Sequence, residues 1–84
     1  MSKIVDNLYV GSFADANDKK SLEKLGITHV VTAMETGKQI FDDMTYHIVQ
    51  ISDTYSANIS VHFAETIEFI HKNRLAGNGV LVHW

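Results

Sequence analysis

Two stretches, ITHVVTA at Ile27–Ala33 and VLVHW at Val80–Trp84, run on as apolar and β-branched residues without regular polar alternation. A strand with one wet face alternates, whereas a strand covered on both faces reads as a continuous run. Both stretches are therefore expected inside a sheet, with material packed above and below. In a chain of 84 residues that material must come from the segments around them.

Those segments fit the requirement. Proline is absent, so glycines and short polar clusters supply the punctuation. IVDNLYV, Ile4–Val10, reads as a first strand closed by Gly11 and Ser12. In DANDKKSLEKLG, Asp15, Asn17 or Asp18 can cap a short helix. Leu22 and Leu25 give that helix an apolar stripe, and Gly26 sits where a left-handed residue ends it. Met34 to Met44 is a polar connection with Ile40 and Phe41 tucked in. Tyr46–Ile51 reads as a third core strand ending at Ser52 and Asp53. A loop then leads to a helix over Ser60–Arg74, capped at Asn58 or Ser60, with Phe63, Ile67 and Ile70 facing inward and Phe69 off the stripe. The aromatics Tyr9, Phe13, Tyr46, Phe63 and Phe69 are expected in or near the core.

The order is β-α-β-loop-β-α-β, which predicts one α/β domain with a largely parallel sheet and flanking helices. Ligands of such sheets bind beyond the carboxyl ends of the strands. Thr32, the Ser52–Asp53 pair and His83 are the polar residues placed there.

Composition excludes several classes of function. The net charge is −3, and Lys19–Lys20 is the only doublet among seven basic residues, which argues against nucleic acid as a partner. No apolar run approaches the ~20 residues needed to cross a bilayer, so no membrane insertion is expected. Met1-Ser2-Lys3 opens neither a signal peptide nor a Met-Gly myristoylation site. Cysteine is absent, which removes disulfides and cysteine-zinc sites and favours a reducing compartment, cytoplasmic or nuclear. His29, His47, His62 and His71 lack metal-ligand spacing, so neither a metal nor a cofactor is expected. Gly77-Asn78-Gly79 follows a helix and precedes a strand, which makes it a turn rather than a phosphate cradle. Asp42–Asp43 is a solvated acidic pair.

The pieces taken in order carry a resemblance. LYVGS, a short helix, GITHVV, a strand ending in Asp, a helix with FIHKNR and then VLVH are similar to the small atypical branch of the dual-specificity protein phosphatases. The resemblance covers Ile4 to His83 in unbroken order. It implies an incomplete protein-tyrosine-phosphatase-like fold whose C-terminal helices are missing, so that residues 1–84 would be the N-terminal part of one catalytic domain.

In that family the last strand ends in Val-His-Cys and leads into a glycine-bearing loop closed by Arg. The loop surrounds a phosphate with backbone N–H groups at a helix N-terminus and a bidentate Arg. The same field lowers the Cys pKa, and the thiolate attacks phosphorus of a phosphotyrosine, phosphoserine or phosphothreonine. An Asp from another loop protonates the leaving oxygen. By this resemblance Asp53 takes the general-acid position, although Asp after a strand also serves as a turn or cap residue. His83 matches the supporting His before the nucleophile, although a His on an apolar strand is also an ordinary core residue. Tyr55 borders the expected substrate pocket.

Trp84 stands in the nucleophile's place, and the catalytic Cys and the phosphate-binding Arg are absent. An indole has only a donor N–H and cannot attack phosphorus. The resemblance thus implies phosphoprotein substrates for the family but no turnover for this chain. The alternatives are a non-catalytic, pseudophosphatase-like interaction domain and an unstable truncated product. A sheet face left bare by missing helices would favour self-association.

Overall fold

The turn at Asp6–Asn7 splits in two what reads as a single strand. The computed structural model of the protein describes residues 1–33, 39–49 and 56–83, with 56–61 as backbone only. In it, β1 (Ser2–Val5) and β2 (Leu8–Gly11) form an antiparallel hairpin in place of the expected strand over Ile4–Val10. Asn7 takes φ 67°, a left-handed conformation that Asn tolerates better than most residues.

Beyond the hairpin the chain forms α1 (Phe13–Ala16), α2 (Lys19–Lys24), β3 (Ile27–Ala33), β4 (Thr45–Val49), α3 (Ser56–Leu75) and β5 (Gly79–His83). The expected single helix is two short ones, because two caps compete for the same few residues. Ser12 accepts from the Asp15 backbone N–H, while the Asp15 carboxylate accepts from the Ser12 N–H, a reciprocal capping box that starts α1. Asp18 then accepts from the Ser21 N–H and starts α2. Gly26, at φ 73°, ends α2 in the conformation that glycine adopts without penalty.

The sheet order is β1-β2-β5-β3-β4. β2, β5, β3 and β4 are parallel, and β1 alone is antiparallel to its neighbour. The continuous runs occupy the interior as expected. β5 lies between β2 and β3, with Val80 and Leu81 shut off from solvent, as are Val30 and Val31 of β3. Gly79 opens β5 where Gly26 passes closest: its N–H donates to the Gly26 carbonyl at 3.2 Å, and a Cβ there would meet that oxygen at 2.5 Å.

One face of the sheet packs on α1 and α2 through Ala16, Leu22, Ile27, Val30, Met44 and Leu81, with Tyr9, Ile40, Phe41 and Tyr46 around them. Phe41 and Asp43 are held by Lys19, which pairs with the Asp43 carboxylate and lies over the Phe41 ring. The other face carries α3, whose end is tied to the hairpin. The Arg74 Nε–H donates to the Asp6 carbonyl at 3.0 Å, and the Asn7 amide donates to the Arg74 carbonyl at 3.3 Å. The face expected to be bare is half-buried at Leu8, Val10 and Val82.

α3 starts four residues earlier than Ser60 and turns a different side to the sheet than its apolar stripe suggests. Phe63 is 62% exposed and Ile67 66%, while Ile70 is half-buried. The docked side carries His62, Thr66, Phe69 and Asn73. Its polar groups are satisfied locally, which makes their burial inexpensive. Thr66 Oγ1 donates to the His62 carbonyl at 2.6 Å, and the Asn73 amide donates to the Phe69 carbonyl at 2.8 Å. Among the described residues no helix is long and apolar enough to cross a membrane.

Candidate active site

The carboxyl ends of β3 and β5 place Thr32 and His83 side by side as register partners. Both are buried, Thr32 at 1% and His83 at 0% exposure. The Thr32 hydroxyl oxygen lies 2.9 Å from His83 Nε2. His83 Nδ1 is also buried and has no hydrogen-bond partner among the described residues. Burial pushes the His83 pKa below the ordinary histidine value, so the ring is neutral near neutral pH. Phe13, at the start of α1, sets its ring 6.1 Å from the imidazole at a tilt of 51°.

Phe13 is itself 52% exposed, and Phe63 points to solvent, so neither is the core filler that composition suggests. Phe13 covers His83 instead. The capping box that starts α1 just after β2 puts it there, a placement that no periodicity announces.

β4 runs parallel to β3, with Thr32 opposite Ile48 and Ala33 opposite Val49. The chain between β4 and α3 therefore leaves the sheet at the end that carries His83. Asp53 and Tyr55 belong to that connection, and Trp84 follows His83; all three lie outside the described residues. Of the residues expected at the strand ends, the structure brings together Thr32 and His83.

The other histidines of the sheet serve a different purpose. His29 of β3 and His47 of β4 flank the Phe69 ring of α3, at centroid distances of 5.7 and 5.0 Å. Thr66 has already given its hydroxyl proton to the His62 carbonyl, so it accepts from His47 Nε2–H at 3.1 Å. Burial, and then the positive charge of Lys72, hold the His29 pKa below its ordinary value. A depression lined by Lys19, Glu23, Thr28, Asp43 and Met44 opens at the amino ends of β3 and β4, away from His83.

The family model for the catalytic domain of dual specificity phosphatases matches residues 8–83. The chain belongs to the dual-specificity phosphatase family. It is 42% identical over 83 residues to Dual specificity protein phosphatase 22-A of Danio rerio, covering 99% of this chain and 40% of that protein. It is 37% identical over 83 residues to Dual specificity protein phosphatase 22 of Homo sapiens, covering 99% of this chain and 45% of that protein. The crystal structure of DUSP15 superposes with a TM-score of 0.87 at 40% identity, over 99% of this chain and 53% of that one. The human tyrosine phosphatase-like serine/threonine/tyrosine-interacting protein superposes with a TM-score of 0.81 at 29% identity, over 96% of this chain and 59% of that one. This phosphatase-family chain thus spans less than half the length of these curated relatives. The mixed sheet with flanking helices is the family's fold, here as a partial domain.

Proposed function

We propose that residues 1–84 are the N-terminal part of one dual-specificity phosphatase catalytic domain. The reaction of that domain is the removal of phosphate from phosphotyrosine, phosphoserine or phosphothreonine in proteins. The observation that carries this reading is the buried His83 at the carboxyl end of central β5, inside the stretch that the family model matches. In this reading Asp53 is the general acid for the leaving oxygen and Tyr55 lies at the rim of the substrate pocket.

Trp84 stands at the nucleophile's position, and none of the 84 residues is a cysteine. A thiolate is what attacks phosphorus in this mechanism, and an indole N–H is a donor only. The 84-residue chain by itself is therefore inactive in this reading. The test joins residues 1–83 to the remaining part of the Dual specificity protein phosphatase 22 domain, from its nucleophile onward. The joined protein should hydrolyse p-nitrophenyl phosphate and phosphopeptides, while the 84-residue chain stays at the blank rate. Turnover by the short chain would sink the assignment of Trp84. In the joined protein, Asp53→Asn should lower kcat on phosphopeptides by about 10²- to 10³-fold. An unchanged rate would remove Asp53 from the acid role.

A second reading, a non-catalytic interaction domain, is supported by two observations. One is the likeness to the human tyrosine phosphatase-like interacting protein, and the other is the outward-facing Phe63 and Ile67 on α3. Self-association through this side would show in light scattering as a mass above 9.4 kDa. Phe63→Ser with Ile67→Ser should return it to the monomer value. A monomer at high concentration would remove the self-association.

A further inference from the structure

Gly77-Asn78-Gly79 joins α3 to β5, and it holds the one asparagine of the sequence that is followed by glycine. Such a pair is chemically weak. Glycine has no side chain to shield its backbone nitrogen, so that nitrogen can reach the carboxamide before it. In this reaction the Gly79 nitrogen bonds to Asn78 Cγ, the bond from Cγ to Nδ2 breaks, and the amide leaves as ammonia with the proton that Gly79 gives up. Water then opens the five-membered imide at either of its carbonyls. One opening leaves aspartate. The other leaves isoaspartate, with an extra methylene in the main chain.

The fold engages each group that the reaction needs. The Gly79 N–H donates to the Gly26 carbonyl at 3.2 Å, and Gly79 is buried. The Asn78 N–H donates to the Asn73 carbonyl at 2.9 Å and the Gly77 N–H to the Arg74 carbonyl at 3.0 Å, the paired bonds that close the C-terminus of a helix. The Asn78 carboxamide donates to Asn73 Oδ1 at 3.4 Å. Asn73 is 6% exposed and its own amide donates to the Phe69 carbonyl, which leaves its oxygen to receive Asn78. The close passage of Gly26 thus acts twice. It demands a residue without a Cβ at position 79, which makes Asn78 labile, and it supplies the acceptor that restrains the attacking nitrogen.

We propose that Asn78–Gly79 is a deamidation site that the folded chain keeps latent and that becomes reactive when the start of β5 leaves Gly26. The co-reactant is water. The change runs one way. A carboxylate at position 78 sets an acceptor against the buried Asn73 oxygen, which loses its donor. Isoaspartate lengthens the main chain between the end of α3 and Val80, whose N–H donates to the Asn7 carbonyl at 2.9 Å. Both products oppose the return of the contacts that had protected the amide, so each opening carries a risk of permanent loss. The inference stands apart from the phosphatase reading, because it concerns the turn that enters β5 and not the carboxyl end of that strand.

The experiment follows the 84-residue chain by peptide mass spectrometry at mildly alkaline pH, with and without guanidinium chloride. In the denaturant, the peptide carrying Asn78 should gain the mass of an amide turned to an acid, ahead of those carrying Asn7, Asn17, Asn58 and Asn73. Without denaturant the gain should be at least about tenfold slower, because it waits on opening. At intermediate denaturant it should rise in step with hydrogen exchange at the Gly79 amide. Equal rates in the two solutions would overturn the proposal, as would another asparagine reacting first or a rise that does not follow Gly79 exchange. Asn78→Gln, which could close only a six-membered imide, should abolish the gain at this peptide, and a gain that persists would place the reaction elsewhere and overturn the assignment. Asn78→Asp, one of the two products, should unfold at lower urea than the unaltered chain. An unchanged midpoint would overturn the one-way character of the step.

Discussion

The two faces of the sheet are built on different principles. The face under α1 and α2 is dry and apolar over its centre, with Leu22, Ile27, Val30 and Leu81 interlocked and shut off from solvent, and it carries the Thr32–His83 pair at its carboxyl edge. The face under α3 has Val31 and Val80 at its base, but its contact with the helix runs through His29, His47, Thr66 and Phe69. The first kind of contact is non-directional and indifferent to pH. The second is directional and responds to protons. The first holds the fold together, and the second sets where the helix after the Asp53 segment sits.

The largest effect should come from the dry face. Leu81→Ala in central β5 should cost about 2–5 kcal/mol, read from urea unfolding, and the loss should be the same at every pH between the histidine and carboxylate ranges. A loss that varied with pH there would break the distinction between the faces.

Phe69→Ala comes next. The ring is half-buried between two imidazoles, so the cost should be about 1–3 kcal/mol, below that of a fully buried aromatic. Its mark should also appear in the ring signals of His29 and His47, which lose their aromatic neighbour.

Acidification should act on His29 and His83. The folded-state pKa of His29 is lowered by burial and by Lys72, and that of His83 by burial. The unfolded chain, at the ordinary value of about 6.5, takes up these protons first. Stability is therefore full above that value and falls as pH drops through it toward the lowered folded values. Unfolding midpoints measured between about pH 7.5 and 5 should decline, and His29→Gln should flatten part of the decline. If His29→Gln leaves the slope unchanged, α3 is not the proton-sensitive side. The carboxylates of Asp15 and Asp18, lowered by their cap hydrogen bonds, respond only in the acid range below this window.

The smallest effect belongs to the outward side of α3. Phe63→Ser or Ile67→Ser should change stability by no more than about 0.5 kcal/mol, because these side chains contribute little to the packed interior. A cost of several times that would mean that the side is covered in solution.

These differences follow the line between what the sequence states and what it leaves to tertiary structure. β3 and β5 were legible because burial on both faces writes itself as an unbroken apolar run. The hairpin was not, because in IVDNLYV the turn rests on one residue, Asn7, whose left-handed backbone has no fixed signature. The period of α3 was legible, but its docked side was not. Apolar spacing at Phe63, Ile67 and Ile70 marks one side, while the sheet offers histidines to the adjoining one. At the site, Thr32 and His83 were both legible as polar residues at strand ends, and the resemblance added the place of His83 before the nucleophile. Their contact spans 51 positions of sequence and follows from cross-strand register, which no local pattern encodes.

The strand order has a consequence for the making of the protein. β5 lies between β2 and β3, yet it follows every other described element along the chain. As the ribosome releases the chain, β2 and β3 emerge with the edges that will face β5 still unpaired. Everything that joins the two halves of the sheet awaits the final described strand, including the pairing of Gly11 and Thr32 with His83. Closure of this kind is slow and leaves strand edges open to wrong partners in the meantime. The step that completes the sheet is thus also the step that assembles the Thr32–His83 pair, so the nascent chain acquires its core and its candidate site in a single event.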